Sequence, residues 1–272
     1  MLKQILRQTA VLRERRKRRK PAVLVEADAR RRRDFRSMVL SLSRGFGVVA
    51  EVKKASPSEG VLVPRYRPDR IAAMYEKAGA CAISVLTCAP FFLGRPEHLR
   101  QVRQTVSLPV LRKDFLTDPY DILESCAWGA DAVLLIVRLL DAASLASLAA
   151  LSREYGMETV LEVHDEEDLE RALGVCDRKT TILGINNRDL ETLKTDITTT
   201  FRLLKRIPAD IMHTVPVISE SGLRPGDVER LVQHGVSGVL VGTSLLRSTD
   251  HADAVRTFLS GRRVYGSKSP AV

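Results

Sequence analysis

Short apolar segments rich in β-branched residues recur along most of the chain at similar intervals. The stretches between them carry apolar residues three and four positions apart, which is the pattern of one face of a helix. We predict helices over residues 69–78, 142–155, 166–173 and 225–234, among others. The apolar segments predict eight strands, at about residues 47–52, 81–86, 109–112, 131–137, 158–163, 181–185, 215–219 and 237–241.

Strands that alternate with helices predict a parallel sheet, because each helix returns the chain to the same end of the next strand. Eight such units predict an α/β fold of one (β/α)8 barrel, a TIM barrel, rather than an open sheet. We assign the catalytic barrel to residues 46–260 and expect residues 261–272 to form a flexible tail.

The first 45 residues have a different pattern and predict a basic helical extension packed on the barrel. A first helix has one apolar face and ends at Pro21, and a second short helix is predicted over residues 34–42, ending near Gly45. The apolar face of the first helix consists of Leu2, Ile5, Leu6, Thr9 and Leu12.

The chain has 43 Lys and Arg against 33 Asp and Glu, which gives a formal net charge of +10. Much of this excess lies in residues 13–20 and 30–33. Such a run can bind nucleic acid or an anionic membrane. No aromatic residues interleave with it for base stacking, so we interpret it as a solvated helix face and expect neither partner. A positive field also attracts an anionic substrate.

The four cysteines and five histidines form no CxxC or HxxxH pair and no mixed cluster. We therefore expect reduced thiols and no metal site. No apolar stretch is as long as that of a signal peptide or a membrane-spanning helix. These features predict a cytoplasmic protein, and we expect a monomer or a weak homo-oligomer.

Polar residues follow the apolar part of several predicted strands on the same face. Residues two apart on a strand share a face, and catalytic groups of a barrel gather at the carboxyl ends of the strands. One charged residue there is usually only a strand entering solvent, but four strands with the same feature predict an active site. Two lysines and two glutamates can divide acid and base roles. The residues are Glu51 and Lys53 after Val49, Lys113 after Leu111, Glu162 after Val160, and Asn186 and Arg188 after Gly184.

The loops after the last two predicted strands contain small residues and hydroxyl groups. In TIM barrels these loops often bind phosphate, because small residues let backbone N–H groups approach the oxygens. Each short string alone is typical of an ordinary turn, so its position carries the prediction. The predicted phosphate contacts are Ser56, from the loop after the first strand, and Ser221, Gly222, Gly242, Thr243 and Ser244.

Four strings, in this order along the chain, resemble those of the indole-3-glycerol phosphate synthase family. The resemblance spans roughly residues 34 to 250, and the residues before it match only as a helical extension. The strings are AEVKKASPS at 50–58, LRKDF at 111–115, GINNRDL at 184–190 and SESG at 219–222.

This resemblance implies a phosphorylated substrate, 1-(2-carboxyphenylamino)-1-deoxyribulose 5-phosphate, and no cofactor. It implies Lys113 as the acid of ring closure, Lys53 as the cation that holds the substrate carboxylate, and Glu162 as the base of dehydration, whereas Glu51 orients a lysine. Which lysine acts at which step stays open at this stage. Further implied contacts are Asn186, Arg188 and Glu220, and an aromatic pocket of Phe92, Phe115, Leu134 and Leu240, four residues that barrel packing alone also explains.

The chain departs from the family pattern in the loop after the second predicted strand. Cys88 follows Thr87 where the family commonly has an acidic residue. The string Phe-Phe-Leu-Gly-Arg at 91–95 stands where the family commonly reads Phe-Phe-Gly-Gly-Ser. We expect these changes to affect the fit and turnover of the substrate and to leave the acid and base residues in place.

Three other functions are compatible with parts of the sequence. A phosphate-binding isomerase of the same fold would use a proton-shuttling pair in place of two lysines and two glutamates. A nucleic-acid-binding protein would depend on residues 1–33 and bind in a salt-dependent way. A catalytically silent barrel would not need to retain Lys53, Lys113 and Glu162.

Overall fold

The computed structural model describes residues 1–32 and 34–261. Eight parallel strands form a closed barrel in the order β1-β10-β9-β8-β7-β6-β5-β4, and β2 and β3 form a small antiparallel hairpin. The predicted (β/α)8 barrel is thereby confirmed. In chain order the strands are β1 (Gly47–Val52), β2 (Ala55–Ser56), β3 (Gly60–Val61), β4 (Ala82–Leu86), β5 (Val110–Lys113), β6 (Ala132–Ile136), β7 (Glu158–Val163), β8 (Thr181–Asn186), β9 (Val217–Glu220) and β10 (Gly238–Val241).

Helices precede the barrel and connect its strands. Single turns of 3-10 helix lie at Val137–Leu139 and Pro225–Asp227. The α-helices are α1 (Leu2–Arg19), α2 (Ala22–Arg31), α3 (Met38–Ser43), α4 (Pro68–Lys77), α5 (Pro96–Thr105), α6 (Pro119–Trp128), α7 (Ala142–Glu154), α8 (Glu166–Val175), α9 (Thr198–Leu204), α10 (Ala209–Met212), α11 (Val228–Gln233), α12 (Thr243–Arg247) and α13 (His251–Ser260).

The predicted strands lie within two residues of the observed ones at both ends. The predicted and observed elements differ where the hydrophobic pattern is too short to identify an element. The β2–β3 hairpin was not predicted because its strands are two residues long, and the helix predicted over 225–234 is a 3-10 turn followed by α11. The flexible tail predicted for 261–272 lies, apart from Gly261, outside the described residues, as does Arg33.

Two apolar layers surround the barrel strands. The outer layer fills the space between the strands and the helices. The inner layer consists of side chains that point into the barrel, and α3 closes its amino-terminal end with Met38, Val39 and Leu42. Inward-facing members from the strands include Val49, Leu111, Leu134, Val160, Ile182, Ile218 and Leu240.

A buried carboxylate holds α3 in this position. Glu158, at the start of β7, accepts hydrogen bonds from the backbone N–H groups of Met38 (2.7 Å) and Val39 (3.0 Å) and from the hydroxyl of Ser37. These N–H groups have no partner inside the helix, and a carboxylate at a helix amino terminus satisfies them favourably. The short helix therefore begins where the barrel supplies its cap.

The extension contains a helix that the sequence did not predict. The prediction ended the first helix at Pro21 and began the next at residue 34, but α2 begins directly after this proline, whose φ of −56° suits a helix start. Val25 and Ala29 of α2 are buried, and α2 packs along α6. The second helix predicted over 34–42 is shorter and begins at Met38.

Part of the basic face of α1 is docked on the barrel, so the interpretation as a solvated face was wrong for the three side chains that meet α6. Arg13 pairs with Asp121 (2.8 Å), and Arg16 pairs with Glu124 (2.9 Å). Lys17 pairs with Asp118 at 2.9 Å. These cations dock α1 on the acidic face of α6. In the part of the chain that the structure describes, no helix combines the length and the apolar character needed to cross a membrane.

Candidate active site

A cavity of about 530 Å³ opens at the carboxyl ends of the barrel strands. Its volume lies in the range that small-molecule sites occupy. Side chains that the sequence predicted as site residues come together here, from loops and strands distant in the sequence. The cavity is lined by all of them: Glu51, Lys53, Ser56, Phe92, Lys113, Phe115, Leu134, Glu162, Asn186, Arg188, Glu220, Ser221, Gly222, Leu240, Gly242, Thr243 and Ser244.

The charged floor of the cavity lies one layer above the inner apolar layer. Glu51, Lys113, Glu162 and Glu220 each follow an inward-facing apolar residue by two positions. Because side chains alternate faces along a strand, each of these groups also points into the barrel. The alternation of the strands thus brings four charged groups together on one floor.

Lys113 connects two buried carboxylates across this floor. Its ammonium Nζ lies 3.1 Å from Oε2 of Glu162 and 2.9 Å from Oε2 of Glu220. The side chains of Glu162 and Glu220 are 2% and 1% exposed, whereas that of Lys113 is 17% exposed and faces the cavity. Buried charges need such partners, since an isolated one is very costly.

The surroundings give the two carboxylates different pKa values. Burial raises the pKa of Glu220 to about 7, and the charge of Lys113 only partly offsets this rise. Burial also acts to raise the pKa of Glu162, but Lys113 and His164 outweigh it and lower the pKa below its ordinary value. Burial acts to lower the pKa of Lys113, yet the neighbouring glutamates outweigh it and raise the pKa. Glu162 is therefore the carboxylate that stays ionised.

A second ion pair lies on β1 and in the loop that follows. Nζ of Lys53 lies 2.6 Å from Oε1 of Glu51, and the lysine side chain is 12% exposed. Two glycines make room for the carboxylates. A Cβ at position 242 would lie 2.3 Å from Oε1 of Glu51, and one at position 184 would lie 2.5 Å from Oε1 of Glu220. Larger residues at these positions would displace the charged floor.

Asn186 and Arg188 form the side of the cavity at the end of β8. Oδ1 of Asn186 accepts a hydrogen bond from the backbone N–H of Arg188 (2.9 Å). The guanidinium of Arg188 donates to the carbonyl oxygen of Leu193 (2.7 Å), which holds the arginine along the wall. The amide group of Asn186 remains beside Glu162, whose negative charge it stabilises.

One end of the cavity is rich in hydroxyl groups and arginines. Ser221 and Gly222 have φ values of 67° and 69°, a left-handed turn that follows β9 directly. Within residues 1–32 and 34–261, the buried hydroxyl of Ser56 has no hydrogen-bond partner. The sequence prediction did not include Arg224 and Arg247, which also line the cavity. Neither continues the alternation of inward-facing and outward-facing residues of a strand, so this alternation could not predict them as site residues.

The opposite end is apolar. The rings of Phe92 and Phe115 lie with their centroids 6.2 Å apart and tilted by 44°. The amino-terminal residues Met1, Leu2 and Ile5 of the extension also line the cavity. The helical spacing of Leu2 and Ile5 indicated a packing face but not its location, so their place in the site was not predicted.

The loop between β4 and α5, which differs from the family pattern, has a strained backbone. Phe91 and Leu93 have φ values of 62° and 54°, a region that L-residues other than Asn and Asp rarely adopt. Gly94 is enclosed by backbone, since a Cβ there would lie 2.6 Å from the carbonyl oxygen of Leu86. The buried Cys88 contacts the carbonyl oxygen of Pro90 (3.6 Å). The loop nevertheless brings Phe92 to the cavity.

The barrel resembles many solved enzymes in fold. A crystal structure of 3-hexulose-6-phosphate synthase has a TM-score of 0.62 and 12% identity, covering 79% of this chain and 99% of that chain. The thiamine phosphate pyrophosphorylase from Pyrococcus furiosus has a TM-score of 0.59 and 13% identity, covering 81% and 96%. At these identities the likeness concerns the fold alone.

Sequence comparison is more specific. The chain is 44% identical over 225 residues to the indole-3-glycerol phosphate synthase of Desulfotalea psychrophila, covering 82% of this chain and 83% of that protein. It is 44% identical over 238 residues to that of Bacillus velezensis, covering 87% and 93%. The family model described as indole-3-glycerol phosphate synthase matches residues 2–258. The chain therefore belongs to the indole-3-glycerol phosphate synthase family.

Proposed function

We propose that this chain converts 1-(2-carboxyphenylamino)-1-deoxyribulose 5-phosphate to indole-3-glycerol phosphate, carbon dioxide and water. The observation that carries this proposal is the position of Lys113 between Glu162 and Glu220, beside the Lys53–Glu51 pair. Ring closure, decarboxylation and dehydration need proton donors, a proton acceptor and a cation for a carboxylate, and this floor contains all of these groups.

The two ends of the cavity suit the two ends of that substrate. The phosphate would lie among Ser56, Ser221, Gly222 and the loop at 242–244, where small residues and hydroxyl groups leave room for its oxygens. The carboxyphenyl ring would lie against Phe92, Phe115, Leu134 and Leu240. The ribulose chain would then cross the charged floor, with its carbonyl near Lys113.

In the first step, the ring carbon that bears the carboxylate attacks the carbonyl carbon of the ribulose chain. The new carbon–carbon bond places negative charge on the former carbonyl oxygen, which takes a proton. Lys113 is the donor in this proposal. Its raised pKa keeps it protonated at neutral pH, so that it also stabilises the developing charge electrostatically.

In the second step, the bond between the ring and the carboxylate breaks, and its electron pair restores the aromatic ring as carbon dioxide leaves. Lys53 is positioned to hold the carboxylate before this step, and Glu51 at 2.6 Å orients its ammonium group. Release of neutral carbon dioxide removes the charge that the lysine had bound.

In the third step, the hydroxyl formed by ring closure leaves as water and the double bond of the indole forms. A base must remove a proton, and an acid must protonate the leaving hydroxyl. Glu162 is the base in this proposal, because it is the carboxylate that stays ionised. Lys53 supplies the proton, or Lys113 does so after it has regained a proton from solvent, and Asn186 holds Glu162 and the reacting hydroxyl in place.

The test is a fluorescence assay of the purified protein with this substrate, with mass spectrometry of the product. We expect an indole product that has lost carbon dioxide and water. A product of unchanged mass would instead indicate an isomerase, and a well-folded protein without turnover would reject the proposal.

The phosphate end has its own test. Ser221→Ala should raise KM by about tenfold and change kcat little, because a phosphate contact contributes to binding of the substrate and the transition state alike. Ser248→Ala, at the end of α12 outside the cavity lining, is the control. An unchanged KM in Ser221→Ala would move the phosphate elsewhere.

We further propose that the protein acts in the cytoplasm, on a small phosphorylated substrate, and without a cofactor. Pairing of Arg13, Arg16 and Lys17 with α6 supports the expectation that α1 does not bind nucleic acid. We expect a monomer or a weak homo-oligomer, which size-exclusion chromatography with light scattering would test.

A further inference from the structure

A buried histidine lies behind the proposed base and does not line the cavity. His164 follows β7 directly and is 7% exposed, which makes it the buried one among the histidines that the structure describes. Each of its ring nitrogens faces a carboxylate. Nε2 lies 3.3 Å from Oε1 of Glu162, an ion-pair distance without hydrogen-bond geometry, and Nδ1 lies 3.3 Å from Oδ2 of Asp168.

Asp168 is itself held from two sides. It accepts a hydrogen bond from the backbone N–H of His164 (3.0 Å) and pairs with Nε of Arg138 (3.1 Å). Arg138 also pairs with Asp165 at 2.7 Å, in the loop where α8 begins. A row of alternating charges therefore runs from the outer surface to the cavity, in the order Arg138, Asp168, His164, Glu162 and Lys113.

The charged groups that face His164 come from three elements. Glu162 lies on β7, Asp168 lies on α8, and Arg138 lies on the 3-10 turn after β6. Burial acts to lower the pKa of His164, but the two carboxylates outweigh both burial and the charge of Arg138 and raise the pKa to about 9. An ordinary histidine loses its charge near pH 6.5, whereas His164 keeps its proton through the neutral range.

We propose that His164 is a positioning residue for Glu162, an imidazolium that fixes one carboxylate oxygen from behind and keeps this glutamate, rather than Glu220, as the base. This inference rests on the proposed function. Oε1 of Glu162 faces His164 and Oε2 faces Lys113, so the carboxylate has a cation on each side. Glu220 has only Lys113 beside Oε2, and its buried Oε1 has no hydrogen-bond partner within the described residues.

The consequence concerns protonation rather than substrate binding. Without the imidazolium, Glu162 would compete with Glu220 for protons on more equal terms, because both are buried carboxylates beside the same lysine. As the pH falls, a larger fraction of the enzyme would then have a protonated Glu162 and could not remove the proton in dehydration. Binding of the phosphate and of the aromatic ring would not change.

The first experiment compares pH profiles of kcat for the wild type and His164→Gln. Glutamine keeps a polar side chain at this position and removes the charge. We expect the acidic limb of kcat to move up by about one pH unit, hence an approximately tenfold loss below that limb. KM should stay within about twofold, and activity should recover above the limb. His234→Gln, an exposed histidine on the amino-terminal side of the barrel, should leave the profile unchanged.

A purely structural role would lower activity equally at every pH, together with the melting temperature. An unshifted acidic limb in folded His164→Gln would overturn the proposal. Asp168→Asn provides a second variant, because it removes one of the two carboxylates that raise the pKa of His164 and should lower the pH at which His164 loses its proton.

The second experiment does not depend on turnover. Nitrogen NMR of protein labelled at histidine should show both ring nitrogens of His164 protonated at pH 7.5, and Glu162→Gln should lower the pH at which this signal titrates. A neutral His164 at pH 7.5, or a titration indifferent to Glu162→Gln, would reject the positioning role. Absence of turnover in the wild type would reject the proposed function alone.

Discussion

Two of the clusters in which lysines and arginines meet carboxylates invite comparison, one at the mouth of the barrel and one between α1 and α6. Between α1 and α6, three cations meet three carboxylates on two helix faces, and each carboxylate has a cation of its own. At the mouth, Lys113 faces both Glu162 and Glu220. If only lysines and arginines are counted, the cations equal the carboxylates between α1 and α6, whereas at the mouth one lysine serves two glutamates.

Among the described residues, the cluster at the mouth leaves buried oxygen atoms without any partner, whereas the buried Nε of Arg13 between α1 and α6, which makes no hydrogen bond, still lies 3.5 Å from Oδ2 of Asp118. Oε1 of Glu220 and the hydroxyl of Ser56 are buried beside the cavity and make no hydrogen bond within residues 1–32 and 34–261. A buried group without a partner is costly, and a substrate that supplies one would recover that cost. The comparison indicates that the mouth is built for a ligand and the α1–α6 cluster for docking.

Backbone strain also occurs at the mouth of the barrel and not in the described part of the amino-terminal extension. The described non-glycine residues with positive φ are Phe91, Leu93, Leu193 and Ser221, and all of them lie in loops that leave the carboxyl ends of strands. The extension has none among its described residues. Strain of this kind persists where surrounding structure enforces it, and it concentrates at functional sites.

The largest expected effect separates the two clusters directly. Lys113→Ala should lower kcat by at least about 10²-fold, because it removes a general acid and the charge that stabilises the oxyanion. Lys17→Ala removes a lysine that is paired at a similar distance and should leave kcat within about twofold of the wild type. Steady-state assays on folded samples check this. Comparable losses in both variants would contradict the functional division.

The second prediction concerns the space behind Glu220. A Cβ at position 184 would lie 2.5 Å from Oε1 of Glu220 and 3.0 Å from a methyl group of Val160. Gly184→Ala should lower kcat by about tenfold and the free energy of unfolding by about 1–3 kcal/mol.

Gly174 offers a matched control, because it lies inside α8 and an added Cβ would meet nothing within 4 Å. Gly174→Ala should raise the free energy of unfolding by about 0.5–1 kcal/mol, since alanine is the better helix former. Denaturant titration of both variants tests the pair, and a stable, fully active Gly184→Ala protein would show that Glu220 moves freely.

The third prediction concerns the α1–α6 cluster. The carboxylate of Asp121 is 1% exposed and pairs with Arg13 at 2.8 Å and with Arg16 at 3.3 Å. Arg13→Ala should lower the free energy of unfolding by about 1–3 kcal/mol, because it leaves a buried acceptor less well satisfied. Arg15→Ala, at an exposed position of the same helix, is the control and should leave the free energy of unfolding nearly unchanged. A large loss of kcat with unchanged stability would mean that this cluster serves catalysis.

The smallest expected effect concerns the strained loop. Leu93 has a φ of 54° and is 43% exposed, so its side chain contributes little burial. Leu93→Gly should raise the free energy of unfolding by about 0.5–1 kcal/mol, because glycine adopts this conformation without strain. Leu40→Gly, in α3 with a 61% exposed side chain, should instead lower the free energy of unfolding. Thermal unfolding of the two variants decides whether the loop is strained.

The sequence predicted the charged floor because strand periodicity is a local property. Each of Glu51, Lys113 and Glu162 lies two positions after an apolar residue, so it points into the barrel whenever that apolar residue does. Arg224, Arg247 and Met1 also line the cavity, but they lie in loops or at a chain end where no period applies. His164 was not predicted either, because its importance depends on Asp168 and Arg138, which come from two other elements.

Local pattern by itself determined the eight strands, which of their side chains share a face, and the family of this chain, since each depends on residues a few positions apart. Tertiary structure decided where α1 and α2 lie, that the basic face of α1 meets α6, and that Met1, Leu2 and Ile5 reach the cavity. It also decided which glutamate stays ionised. Those outcomes depend on charges and surfaces that meet only after the barrel closes, when burial and long-range pairing set their energies.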